Sequence, residues 1–257
     1  MFKSIQSGMV IFLSSILVFF PGIPVYAEEL NLAVANSTCN AIKRVGSLFE
    51  KQHQIRINYI CKSSGRLAKG LHGGSINADI YISANRKWMD YMLDNKLVIP
   101  DQVSSTWGNQ LVVATRKDSE LKINQWDELA LEKVGTILIG DPGTAPFGRY
   151  AKEALQSTGL WSRIRNKIET KKHITLLADT LAESDKDTIG ILFFSNTTDK
   201  LRTIYLVDAS WHSPIRYFMA PVRTTAVKKQ VAALLEFIQN SSAQEIFLEE
   251  GFLLNTP

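Results

Sequence analysis

The 257-residue sequence is poor in the residues that build metal and redox centres, with two cysteines and four histidines. Two cysteines alone cannot form a structural zinc site, and His53, His72, His173 and His212 show no ligand spacing, so no metal site is expected. The G-x-G-x-x-G and G-x-x-x-x-G-K-[ST] spacings are absent, which removes the common dinucleotide and nucleotide loops. No G-x-S-x-G elbow occurs. Asp79 and Asp141 lie near strand ends but pair with no second acid or base, so a structural role is expected for both. Lysine and arginine outnumber acids 29 to 25, with a pI near 9.0, yet they are scattered and form no nucleic-acid module. No low-complexity or proline-rich linker interrupts the chain. The longest apolar run, the 12 residues Met9–Phe20, is too short to span a membrane.

What is present begins with that run. Lys3 precedes it, and Val25-Tyr26-Ala27 follows with a small-residue cleavage signature, which is the layout of a secretory signal peptide. No cysteine follows the run to accept a lipid. Cleavage after Ala27 would leave 230 residues with a net charge of +3, enough for one large or two small α/β lobes. Cys39 and Cys61 would then sit in a compartment where disulfides persist. Each falls near the end of a predicted strand. A bridge would close a loop of about 23 residues, on the order of 3 kcal/mol in the chain-entropy model; the alternative is two separately buried thiols.

From Glu29 onward strand and helix signals alternate. Leu30–Ala35 is a short apolar run, and Ile42, Val45, Leu48 and Phe49 fall on one helical face. Ile55–Ile60 alternates as a strand, a short helix passes through Leu67 and Leu71, and Ala78–Ser83 is a third strand. This rhythm predicts a parallel sheet with helices on both faces. Gln110–Thr115 is extended without a preceding helix of the same kind, and a second series follows. It has strands at Thr136–Gly140 and Thr188–Phe194 and helices at Gly148–Gln156 and Ile174–Leu181. The chain closes with Tyr217–Pro221 and helices over Thr225–Gln239 and Ala243–Glu250. The pattern is α/β and two-lobed. Residues 28–109 and 217–257 are assigned to the first lobe and 110–216 to the second, each a mostly parallel sheet flanked by helices, joined by two crossover strands.

Open α/β sheets bind ligands where strands end and helices begin. Two such loops are rich in hydroxyls, Asn36-Ser37-Thr38 and Ser63-Ser64-Gly65. The unpaired N–H groups and dipole of a helix start favour an anion. Each loop alone reads more readily as a plain helix cap than as a ligand site, and only the presence of two on adjacent strands brings the readings level. Gly140–Gly148 (GDPGTAPFG) is a third strand-to-helix turn with a proline-started helix.

At these residues the chain resembles the periplasmic molybdate-binding proteins of ABC importers, a type II periplasmic binding protein family. The strongest passages are Ala78–Tyr91 (ADIYISANRKWMDY) and Gly140–Gln156 (GDPGTAPFGRYAKEALQ). Shorter matches cover Ser37-Thr38-Cys39-Asn40-Ala41, Ser63–Ala68, Gly108–Val112 and Ala243–Phe252. The resemblance implies a tetrahedral oxyanion held between the lobes by neutral donors. Ser37 and Ser64 match the family's two serines. Phe147 matches one backbone donor, and Ile174, or Thr175 with a one-residue length difference, matches the other. Phe193 stands where the family has a tyrosine, so one hydroxyl is missing, worth about 1.5–3 kcal/mol or roughly 10- to 150-fold in affinity. Asn36, Ser63 or Ser195 could replace that donor. The resemblance further implies a periplasmic, monomeric receptor that binds a small oxyanion, delivers it to an ABC permease in the inner membrane, needs no cofactor and catalyses nothing. A different small anion such as sulfate or phosphate, a ligand-less signalling role, and an exported enzyme are the competing readings.

Overall fold

The computed structural model describes residues 29–254; the signal peptide expected over Met1–Ala27 lies outside them. The chain enters as β1 (Glu29–Ala35), whose apolar side chains are buried on both faces, as befits a strand at the middle of a sheet. A 3-10 turn over Asn36–Thr38 leads into α1 (Cys39–His53), and the chain then passes through β2 (Arg56–Lys62), α2 (Ser64–His72), β3 (Ile80–Ser83) and α3 (Arg86–Asp94). β1 pairs in parallel with both β2 and β3. α1 buries Ile42, Val45 and Phe49, and ends where Gln54 takes a left-handed conformation at φ 56°.

The first crossing follows, through β4 (Trp107–Gly108), into β5 (Leu111–Arg116). The second series runs β6 (Ile137–Gly140), α4 (Pro146–Ser157), α5 (Trp161–Ile164), β7 (Ile168–Lys171), α6 (Ile174–Ala182), β8 (Ile189–Phe193) and β9 (Leu201–Leu206). The chain returns through β10 (Phe218–Pro221), α7 (Lys228–Phe237), α8 (Ser241–Glu249) and β11 (Leu253–Leu254). The strand order is β10-β3-β1-β2 in the first large sheet and β7-β6-β8-β5-β9 in the second, with β11 and β4 forming a short ribbon.

The second sheet is mixed. β6 is parallel to β7 and β8, whereas β5 is antiparallel to β8 and β9. β5 arrives straight from the other lobe with no crossover helix before it, so nothing turns it into the direction of β6 and β8. β7 had no apolar run to announce it: Glu169 and Thr170 are exposed on an edge strand.

The two crossings run side by side. Tyr217 N–H donates to Trp107 O (3.0 Å), Asn109 N–H to Ile215 O (3.2 Å), and Val207 N–H to Leu111 O (3.0 Å). Trp107 stacks on Phe247 and Tyr217, with ring centres 4.3 and 5.7 Å away, which anchors this double connection to α8.

Candidate functional site

Four helix starts converge on one cavity between the lobes. The 3-10 turn ahead of α1 contributes Asn36 and Ser37, α2 contributes Ser63 and Ser64, α4 contributes Pro146 and Phe147, and α6 contributes His173 and Ile174; Ala35, Ala84, Ala145 and Phe193 complete the lining. The first N–H groups of a helix have no partner inside it. At α2 and α4, and at the turn ahead of α1, no side chain caps them. The convergence therefore brings uncapped N–H groups, apart from those of Gly65 and Arg66, and positive helix ends to one cavity. None of the described lining residues carries a carboxylate.

Close backbone contacts make this geometry possible. A Cβ on Gly148 would lie 2.1 Å from the Gly140 carbonyl oxygen, so α4 can start hard against the end of β6 only with glycine there. A Cβ on Gly65 would meet the Trp88 ring at 2.4 Å. Gly65 N–H donates to Thr144 O of the opposite lobe at 3.3 Å, so the lobes touch across the cleft. The cavity is drawn tight, with about 10 Å³ of free volume, space for about one water molecule. A four-oxygen anion fits only with the lobes slightly further apart.

The serine hydroxyls are oriented by buried donors. Ser64 Oγ accepts from Ala84 N–H at 3.0 Å, and Ser37 Oγ accepts from the Tyr217 hydroxyl at 2.8 Å. Burial holds the Tyr217 pKa well above the ordinary tyrosine value, so it remains a donor at neutral pH. With an oxygen lone pair engaged on each serine, the hydroxyl proton of each is free to point elsewhere. Ser63 Oγ is buried and has no hydrogen-bond partner among the described residues. His173 Nδ1 accepts from Leu176 N–H at 3.1 Å, which caps α6 and assigns the neutral ring's proton to Nε2.

The structure thus brings Ser37, Ser64, Phe147, Ile174 and Phe193 together, with Asn36 and Ser63 beside them. It does not bring Thr175 or Ser195 into the cavity. Thr175 is exposed on the outer side of α6 and lines the flanking clefts. Ser195 lies one turn beyond β8, where its Oγ accepts from Asn109 Nδ2 at 2.7 Å. Asn109 Nδ2 lies 3.5 Å from the Tyr217 hydroxyl, so Ser195 reaches the site only through that chain of hydrogen bonds. Tyr217, Asn109 and His173 escaped the sequence reading. Tyr217 is 180 residues from Ser37, a separation no motif carries, and His173 was weighed only as a metal ligand. Cys39 and Cys61 are joined by a disulfide with Cα atoms 6.2 Å apart, between the two serine loops. Asp79 and Asp141 are structural: Asp79 accepts from Asn31 N–H and Thr225 Oγ1, and Asp141 from Gly143 N–H and Thr144 Oγ1.

Two α/β lobes, a double crossing and a donor-lined cleft define a solute-binding protein, and the chain belongs to the bacterial extracellular solute-binding protein family, matching it over residues 30–253. It is 29% identical over 232 residues to the molybdate-binding protein ModA of Escherichia coli K12, covering 88% of this chain and 89% of that one. The periplasmic molybdate-binding protein of Azotobacter vinelandii shares the fold with a TM-score of 0.79 at 19% identity, covering 88% of this chain and 100% of the other. The sulfate-binding protein SubI of Mycobacterium tuberculosis H37Rv does so with a TM-score of 0.76 at 13% identity, covering 90% and 88%. The resemblance to periplasmic molybdate-binding proteins drawn from the sequence therefore extends over nearly the whole described chain. One scaffold serves proteins named for two oxyanions.

Proposed function

We propose that this protein is an exported, monomeric receptor that closes its lobes on a fully ionised tetrahedral oxyanion, molybdate or tungstate, and presents it to an ABC permease in the inner membrane without chemical turnover. The observation that carries this reading is the pair Ser37 and Ser64. Both hydroxyl oxygens already accept from buried donors, so both protons are available to an anion, beside the free N–H groups of Phe147 and Ile174. Charge-assisted hydrogen bonds of this kind are the strong ones. The match to a molybdate-binding relative supports the metal oxyanions over other dianions.

The lining holds no carboxylate, so a ligand that keeps a proton, such as hydrogen phosphate, would meet no charged acceptor for it. That argues against phosphate. Sulfate is the second reading, favoured by Phe193, which removes one hydroxyl from the pattern the resemblance implies. Isothermal titration with molybdate, tungstate, sulfate and phosphate separates the readings. Tightest binding of molybdate or tungstate is expected. Sulfate binding more tightly than molybdate would replace the ligand assignment, and no heat with any of the four would overturn the receptor reading.

A further inference from the structure

Two clefts flank the oxyanion cavity and meet it at Asn36, and they differ in charge. One, about 450 Å³, shares Ser63 and His173 with the cavity and is lined by Lys62 and Arg66 from the first lobe and Lys172 from the second. No acid lines it, and none of these three exposed cations forms an ion pair among the described residues. The other, about 380 Å³, sets Lys43 against Asp179 and Glu250, the latter ion-paired with Arg44, so it offers no net positive field. The buried, unpartnered hydroxyl of Ser63 belongs to a residue that lines both the cationic cleft and the cavity.

We propose that the cationic cleft is an outer anion-capture site, from which a dianion passes by way of Ser63 into the cavity before the lobes close fully; this rests on the oxyanion-receptor reading. A cleft of one sign with low-dielectric walls raises the local concentration of its counter-ion and speeds association about 10- to 1,000-fold. The three charges stand outside the cavity, where solvent screens them once the anion is held by the neutral donors. They therefore act on capture and leave release to the inner shell. Because Lys172 comes from the opposite lobe, the full field exists only when the cleft is partly closed, which favours anions arriving as the lobes approach each other.

Stopped-flow tryptophan fluorescence with sodium molybdate tests this on the full chain, comparing wild type with the triple variant Lys62→Gln, Arg66→Gln, Lys172→Gln and with Lys43→Gln at the other mouth. The triple variant should associate about tenfold more slowly at low ionic strength. The gap should shrink below about twofold near 1 M salt, where the Debye length is about 3 Å. Dissociation should stay unchanged and Lys43→Gln should resemble wild type. Lys172→Glu alone, a second test on an exposed side chain, should slow association further than Lys172→Gln. Association at the wild-type rate in the triple variant, a change confined to dissociation, or equal slowing by Lys43→Gln would each overturn the capture site. Molybdate binding by wild type in titration keeps such a failure separate from failure of the receptor reading itself.

Discussion

Replacing Phe193 by tyrosine tests whether the cavity holds an anion at the end of β8. The ring is fully buried, lines the cavity, and lies 6.1–6.2 Å, centre to centre, from the rings of Phe147, Tyr150 and Tyr217. The added hydroxyl enters a space with about 10 Å³ to spare. In the free protein it costs about 1–3 kcal/mol through crowding and an unmet hydrogen bond. At about 2–4 °C per kcal/mol for a chain of this size, melting should fall by several degrees. With an oxyanion in the cavity the hydroxyl has a charged acceptor, worth about 1.5–3 kcal/mol. Crowding present with and without ligand cancels from the affinity, so affinity for molybdate should rise by at most about 150-fold, and by less where the ring must shift to meet the anion. The distinctive signature is the difference between states. The variant should melt below wild type alone but gain more from saturating molybdate than wild type does. Differential scanning fluorimetry with and without molybdate, alongside calorimetric titration, measures both. A folded variant that loses melting temperature equally with and without molybdate, and binds it no more tightly, would refute the placement of the anion beside Phe193.

Ser37→Ala and Ser64→Ala should each weaken molybdate binding by about 1–3 kcal/mol; each also strands a buried donor, Tyr217 O–H or Ala84 N–H, so melting should fall by a few degrees while circular dichroism stays native. Unchanged affinity in both would remove these hydroxyls from the site. Tyr217→Phe touches no ligand but frees Ser37 Oγ to rotate, so affinity should drop by about 0.5–1.5 kcal/mol with little change at saturating ligand; titration at wild-type strength would show that Ser37 needs no orienting partner. Reduction of Cys39–Cys61 should lower the melting temperature, since the bridge is worth about 3 kcal/mol in the chain-entropy model, and should loosen binding because both serine loops flank it. Two free thiols in unfolded, unreduced protein would refute the bridge.

The fold was legible wherever burial wrote itself as an apolar run. Leu30–Ala35 and Ala78–Ser83 read as strands because β1 and β3 are covered on both faces, and the helix face Ile42, Val45, Phe49 packs as its spacing implies. β7 was not legible, since an edge strand of four residues with two exposed side chains leaves no such trace. The strand direction of β5 was equally hidden, because the direction of a strand depends on the connection that precedes it and not on its own residues. Around the cavity, loops adjacent in sequence could be read and contacts across the fold could not. Ser63-Ser64-Gly65 is visible as hydroxyls before a helix. The Tyr217 hydroxyl over Ser37, and Asn109 behind it, arise only when the second crossing returns beside the first.

That return has a mechanical consequence. Asn109 ends one crossing and Tyr217 ends the other, and their backbones are tied into the antiparallel pairing that any rotation of the lobes must twist. Their side chains meet each other and Ser37 in the same place. In a receptor that closes on an anion as proposed, the fulcrum and the grip would therefore share parts, as in a pair of pliers whose rivet also carries a tooth. Angle and affinity cannot vary independently in such a device. Substitutions along the crossings, remote from any anion, would retune selectivity by changing the angle at which the Ser37 hydroxyl comes into aim, and a permease that prises the lobes apart would loosen the anion by turning that hydroxyl away.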